Sequence, residues 1–161
     1  MQTVTLGGMT EDPTELLTLF TRVHKLLGAA ADTAMSEHGV RVGQNLILSR
    51  LWERDGRTPG EIAAHWQVST PTIVNTARRM EAAGLITREP DPDDARLVRL
   101  RLTDAGRAAR VPVQAARREL AEHATATLTA TERRHLRTAL AKIIDRLSDE
   151  DGPDRRPTTT R

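Results

Sequence analysis

Val68-Ser-Thr-Pro-Thr-Ile-Val-Asn-Thr-Ala-Arg-Arg-Met-Glu-Ala-Ala-Gly-Leu-Ile86, followed by Asp91-Pro-Asp-Asp-Ala-Arg96 and Leu102-Thr-Asp-Ala-Gly106, is the stretch whose reading decides the fold. Ser69 or Thr70 can cap a helix whose first turn holds Pro71, a residue tolerated there because its missing N–H has no intrahelical partner to lose. The helix extends to Ala83 and ends at Gly84, which can take the left-handed backbone that closes a helix. Ile73, Ala77 and Met80 recur at helical spacing and form its core side, leaving Thr72, Asn75, Thr76, Arg78 and Arg79 opposite. Residues 85–89 and 97–102 are strand candidates. In the second, Val98, Leu100 and Leu102 alternate with Arg99 and Arg101, so one face is apolar and the other cationic. A Pro- and Asp-rich turn joins them into a hairpin.

Upstream, Thr58-Pro59-Gly60-Glu61 is a capping box with Pro at the first helical position. It opens a short helix through Trp66 whose buried side is Ile62, Ala63 and Trp66. Residues 45–54 carry Leu46, Ile47, Leu48, Leu51 and Trp52, an apolar helix that stops at Asp55-Gly56. Asp12 offers a further cap, with Pro13 next and Glu15 completing a box. From there Leu16, Phe20, Val23, Leu27, Ala31 and Ala34 mark one face of a helix reaching His38-Gly39. That length calls for a partner helix, including one from a second subunit. Downstream, Thr103 caps a helix that must bend or restart near Pro112, whose ring would clash with the carbonyl of Ala108. Thr129-Ala-Thr-Glu132 caps a last helix buried through Leu136, Leu140, Ile143 and Leu147.

Two short helices joined by a turn, the second exposing small polar groups at its start, follow the helix-turn-helix pattern in which the second helix enters the major groove. Ser69, Thr70, Pro71 and Thr72 present hydroxyls and free backbone N–H groups to a phosphate, where the helix dipole also favours an anion. Asn75 can read adenine and Arg78 or Arg79 guanine, with Thr76 on the same expected face. At the hairpin tip the Asp94 carboxylate can hold the Arg96 guanidinium while its fork enters a minor groove. Over residues 68–103 six arginines face five carboxylates, a net charge of only +1. Placement therefore carries the reading: the carboxylates cluster in the turn, and the other charges are expected to face a phosphate track.

Composition sets bounds on the rest. The 161 residues allow one domain with a core. The pI of 9.9 is weak support for a nucleic-acid partner. The basic residues are 22 Arg and 2 Lys with no Tyr or Cys, so a formal charge of +2 suffices to raise it. Without Cys there is no disulfide, thiol switch or thiolate metal site. The five His lack the i, i+4 spacing of helical metal ligands, and no nucleophile–base constellation or Gly-rich phosphate loop points to an enzyme. No metal and no cofactor are expected. No apolar run approaches a membrane span and no export leader is visible, so a cytoplasmic protein without membrane association is expected.

These motifs, above all the Asp-x-Arg turn followed by Leu-Thr-x-x-Gly, resemble the multiple-antibiotic-resistance regulator (MarR) family of bacterial transcription factors. The resemblance also takes in Glu37-His38-Gly39-Val40 and Thr58-Pro59-Gly60-Glu61-Ile62-Ala63. It implies a mostly α fold with a small β-hairpin wing: a winged helix-turn-helix with long N- and C-terminal dimerisation helices. The expected organisation is a flexible start over 1–10, a single domain over 11–148 and a disordered tail over 149–161. Within the domain, 11–38 and 104–148 dimerise and 42–103 form the winged helix-turn-helix. The implied function is a homodimeric repressor on a pseudo-palindromic double-stranded DNA operator, released by a small effector of unknown identity, often phenolic or anionic. Ala95 stands where the family often has a second basic residue. The cysteine of peroxide-sensing members is absent. The alternative is a winged-helix scaffold that binds protein without sequence-specific DNA contact.

Overall fold

Helices begin here where an oxygen-bearing side chain can take up a free backbone N–H, and the caps account for most of the boundaries. The computed structural model describes residues 12–150. Helix α1 (Pro13–Ser36) starts at Asp12, whose carboxylate accepts from the Thr14 amide at 2.9 Å and the Thr14 hydroxyl at 2.6 Å. The box expected from Glu15 is replaced by this hydroxyl, which reaches the carboxylate from two residues on. Helix α2 (Val42–Glu53) begins three residues before the expected Asn45. Gln44 accepts from the Arg41 amide at 2.9 Å, and Asp32 of α1 accepts from the Val42 amide at 3.2 Å while pairing with Arg41 at 3.1 Å. A cap lent by another helix leaves no local signature.

Helix α3 (Pro59–Trp66) carries the expected box: Thr58 Oγ1 accepts from the Glu61 amide at 3.2 Å and Glu61 from the Thr58 amide at 2.7 Å. Gln67, at φ 52°, turns the chain into α4 (Thr70–Ala82), and Gly84, at φ 72°, follows that helix as expected. Strands β1 (Ile86–Pro90) and β2 (Val98–Leu102) pair antiparallel, Ile86 opposite Leu102 and Pro90 opposite Val98. A bridge from Arg57 to Leu100 ties the α2–α3 connection to the hairpin. The restart expected near Pro112 falls at Ala109, between α5 (Asp104–Ala108) and α6 (Arg110–Ala124). Helix α7 (Ala130–Glu150) starts at the Thr129/Glu132 box.

The core lies where α2, α3, α4 and the hairpin meet. Ile47, Leu48, Leu51, Ile62, Ile73, Met80, Ile86 and Leu100 are each at most 1% exposed, joined by Met35, Val40 and Val113 from the flanking segments. Burying such a side chain contributes about 1.5 to 3 kcal/mol, so these residues fix how α4 is carried.

Four expectations are corrected. Trp66 is 37% exposed rather than buried: it ends α3, and its indole N–H donates to the Leu46 carbonyl at 2.9 Å with the ring edge left in solvent. Val98 is exposed because it pairs with Pro90 at the outer end of the hairpin, beyond the core. Leu136, Leu140, Ile143 and Leu147 are exposed in the single chain, where α7 makes only slight contact with the other elements. Asp149 and Glu150 continue α7 instead of opening the tail, as no Gly or Pro stops the helix before Gly152. The expected flexible start and the rest of the expected tail lie outside the described residues.

Candidate nucleic-acid interface

Helix α4 stands on the core through Ile73, Ala77 and Met80, which leaves Ser69, Thr70, Pro71, Thr72, Asn75, Arg78 and Arg79 exposed together. Thr76 does not join them. It is 6% exposed, because three residues after Ile73 and four before Met80 put it on the edge of the core stripe. Periodicity alone could have assigned it there. The Ser69 and Thr72 hydroxyls lie 2.7 Å apart, and Ser69 also accepts from the Thr72 amide at 3.3 Å, so the start of α4 is preset. Among the described residues no carboxylate pairs with Arg78 or Arg79. Arg79 reaches only the Thr76 hydroxyl, at 3.4 Å.

The cationic strand face expected to meet a phosphate track is neutralised within the domain. Arg88 pairs with Glu81 at 2.7 Å, Arg99 with Asp91 at 2.5 Å and Arg101 with Glu89 at 2.9 Å. Within α4 and the hairpin, the charges still free to meet an anion are those of Arg78 and Arg79 on the helix and of Arg96 at the tip. Asp94 Oδ1 accepts from the Arg96 amide at 3.0 Å and from its Nε at 3.3 Å, while the Arg96 side chain is 92% exposed. The carboxylate orients the guanidinium and leaves its outer edge in solvent.

Sequence reasoning passed over Asp91. It is 5% exposed, and its Oδ1 accepts from the amides of Asp93 at 2.8 Å and Asp94 at 3.1 Å. Those amides, that of Asp93 first, together with the Arg99 guanidinium hold its carboxyl below the usual carboxylate range. Its signal was present in Asp91-Pro92-Asp93, where an Asp can bond the backbone two residues on and close a turn.

The Leu-Thr-x-x-Gly segment joins hairpin to helices. Thr103 Oγ1 donates to the Gly84 carbonyl at 2.6 Å and accepts from the Gly106 amide at 3.1 Å, tying the end of α4 to the start of α5. A Cβ on Gly106 would lie 2.1 Å from the Leu85 carbonyl oxygen, so no larger residue fits without backbone movement. The Gly106 carbonyl in turn accepts from the indole of the buried Trp52 at 2.9 Å. The turn after α4, the start of α5 and Trp52 of α2 thus meet at a position that takes no side chain.

A helix-turn-helix whose second helix turns a polar face outward, followed by a hairpin with an exposed arginine at its tip, defines the winged helix-turn-helix class. The MarR family model matches residues 42–98. The HTH-type transcriptional repressor Rv2887 of Mycobacterium tuberculosis (strain H37Rv) is 30% identical over 126 residues, 78% of this chain and 90% of that protein. The HTH-type transcriptional regulator TtmR of Methylorubrum extorquens is 30% identical over 130 residues, 81% of this chain but 66% of that protein. A mutant of MarR from E. coli, solved in complex with operator DNA, superimposes with a TM-score of 0.76 at 23% identity, covering 84% of this chain and 98% of that one. The chain belongs to the MarR family and is a transcriptional regulator, not an enzyme. No helix among the described residues is long and apolar enough to cross a membrane.

Proposed function

We propose that the protein is a homodimeric repressor that binds a pseudo-palindromic operator and is released by a small effector. In this reading α4 enters the major groove. Ser69, Thr70, Pro71 and Thr72 approach a phosphate, Asn75, Arg78 and Arg79 face base edges and the flanking backbone, and Arg96 reaches the minor groove from its rest on Asp94. Thr76 serves as a core residue that sets the pitch of this face. The observation that carries the reading is where the outward-facing cations of α4 and the hairpin fall: Arg78 and Arg79, with no carboxylate partner, on the outward face of the helix, and Arg96, held by Asp94 but 92% exposed, at the tip. The name of the mycobacterial relative supports repression, and the operator in the E. coli structure supports the mode of contact.

Dimerisation supplies the second half of the site. Leu16, Phe20, Val23 and Leu27 on α1 and Leu136, Leu140, Ile143 and Leu147 on α7 are 37–59% exposed. Two such apolar stripes call for a cover, and a second copy offers the same stripes by symmetry. Residues 11–38 and 104–148 then form the dimerisation part and 42–103 the reader. An effector of small anionic or phenolic type binds between the two parts and alters the spacing of the two α4 helices.

A mobility-shift assay tests this reading with purified protein and the duplex upstream of its own reading frame, at low salt and with competitor DNA. A shift that resists competitor and is weakened by Asn75→Ala and Arg78→Ala is expected. The absence of any competitor-resistant shift would refute the DNA reading and favour a protein-binding scaffold.

A further inference from the structure

The ion pair inside the hairpin joins a buried carboxylate to a half-buried guanidinium, and Asp91 itself lies too deep to touch a ligand. Asp91 is 5% exposed and the Arg99 side chain 29%. Yet the pair sits at the junction of three parts. On one side Asp91 Oδ1 takes both amides of the tip, Asp93 and Asp94. On the other, Arg99 Nε lies 2.5 Å from Asp91 Oδ2, and its Nη1 donates to the Gly56 carbonyl at 2.8 Å. Gly56 belongs to the connection between α2 and α3, where its own amide donates to the Leu100 carbonyl at 3.1 Å. The ends of the turn are closed by the Asp91 amide on the Leu97 carbonyl and the Leu97 amide on the Asp94 carbonyl, both at 2.9 Å.

We propose that Asp91 is the positioning residue of the wing: by gripping the Asp93 and Asp94 amides and the Arg99 guanidinium at once, it fixes where Asp94 holds Arg96 relative to helix α4. This inference rests on the reading of Arg96 as a DNA contact. The physical reason is that the Asp93 and Asp94 amides rest on this one carboxylate, the Asp94 carbonyl being held separately by the Leu97 amide. The tip residues Pro92, Asp93, Ala95 and Arg96 are all exposed, and none belongs to the hydrophobic core. Without the Asp91 carboxylate the Asp94 amide loses its acceptor, and the side chain orienting Arg96 moves with its own backbone. Arg99, left without its carboxylate, has only Gly56 to hold. A mobile tip would meet a groove with the entropy of ordering still to be lost, which weakens binding without removing any contact atom.

The test is a double-mutant cycle on affinity for the duplex upstream of the protein's own reading frame, with amide hydrogen exchange as a second readout. Arg96→Ala alone is expected to weaken binding about 10- to 100-fold, the size of one lost groove contact. Asp91→Ala is expected to weaken it about tenfold and to speed exchange at the Asp93 and Asp94 amides, with α4 amides unchanged. Asp91→Asn keeps an acceptor for those amides and is expected to fall between, which also covers the case in which the alanine variant folds poorly. The deciding result is the pair. Asp91→Ala with Arg96→Ala is expected to bind no more weakly than Arg96→Ala alone, within about twofold, because Asp91 acts through Arg96. Full additivity, or wild-type affinity for both Asp91 variants while Arg96→Ala is impaired, would overturn the positioning role. An Arg96→Ala variant that binds like wild type would overturn the wing contact itself and the positioning role with it.

Discussion

Gly106 is the residue whose side chain, or lack of one, decides most about the hairpin. A methyl group there would stand 2.1 Å from the Leu85 carbonyl oxygen, an unyielding backbone atom, while the residue's own carbonyl holds the Trp52 indole. Gly106→Ala is therefore expected to cost at least about 2 kcal/mol, with a shift in tryptophan emission as Trp52 loses its partner. Urea unfolding followed by fluorescence measures both, and an unchanged midpoint would contradict the geometry. On α4 the contrast is between Asn75 and Thr76, neighbours in sequence with opposite surroundings. Asn75→Ala is expected to leave stability alone and cost about 1 to 3 kcal/mol of discrimination between operator and unrelated duplex. Thr76→Asn, which replaces a methyl and hydroxyl by an amide at a site 6% exposed, is expected to lower the unfolding midpoint. The same two assays run on both variants separate reading from packing.

At the scale of elements, capping sets stability against acid. Glu61 and Glu132 each accept from the backbone amide of the Thr that starts the helix, at 2.7 and 2.8 Å, and this bond, joined by the Thr hydroxyl, lowers each carboxyl's pKa. A carboxyl whose pKa is lower folded than unfolded contributes stability above its unfolded value and loses it as pH falls through the folded one. The melting temperature is therefore expected to fall as the pH drops from about 5 to 3, through the carboxylate range. Replacing both residues by Gln, which keeps an acceptor but cannot titrate, is expected to flatten that fall. Thermal melts across this window check it, and an unaltered slope would contradict it.

The same scale shows what the chain's letters reveal. The boxes at Thr58 and Thr129, the break before Pro112 and the two strands of the hairpin were legible because each is set by residues a few positions apart. The start of α2 was not, because Asp32 caps it from another helix. The neutral strand face was not either: whether Arg88, Arg99 and Arg101 are free depends on Glu81, Asp91 and Glu89 coming beside them, which alternation along one strand does not encode. Asp94 with Arg96 was legible at two residues' separation; Asp91 with Arg99 and Gly56 was not, since that network closes across the fold.

For the whole molecule, the proposed dimer is held by the exposed apolar faces of α1 and α7. Leu140→Glu, at a position 39% exposed in the single chain, is expected to leave the helices intact and abolish the dimer. Sedimentation should then give the 17.8 kDa of one chain, where the unaltered protein is expected to give twice that mass. A monomer keeps one reader and loses the simultaneous engagement of two half-sites, so its operator affinity should fall by orders of magnitude, about 100-fold or more. The central claim, that two copies of α4 read one duplex together, is tested most directly by footprinting the dimer on the DNA upstream of its own reading frame. The account expects two protected half-sites related by inverted symmetry, their centres about 34 to 36 Å or one helical turn apart, with both lost together in Leu140→Glu. Protection of a single unpaired site, protection without sequence preference, or none at all would contradict it.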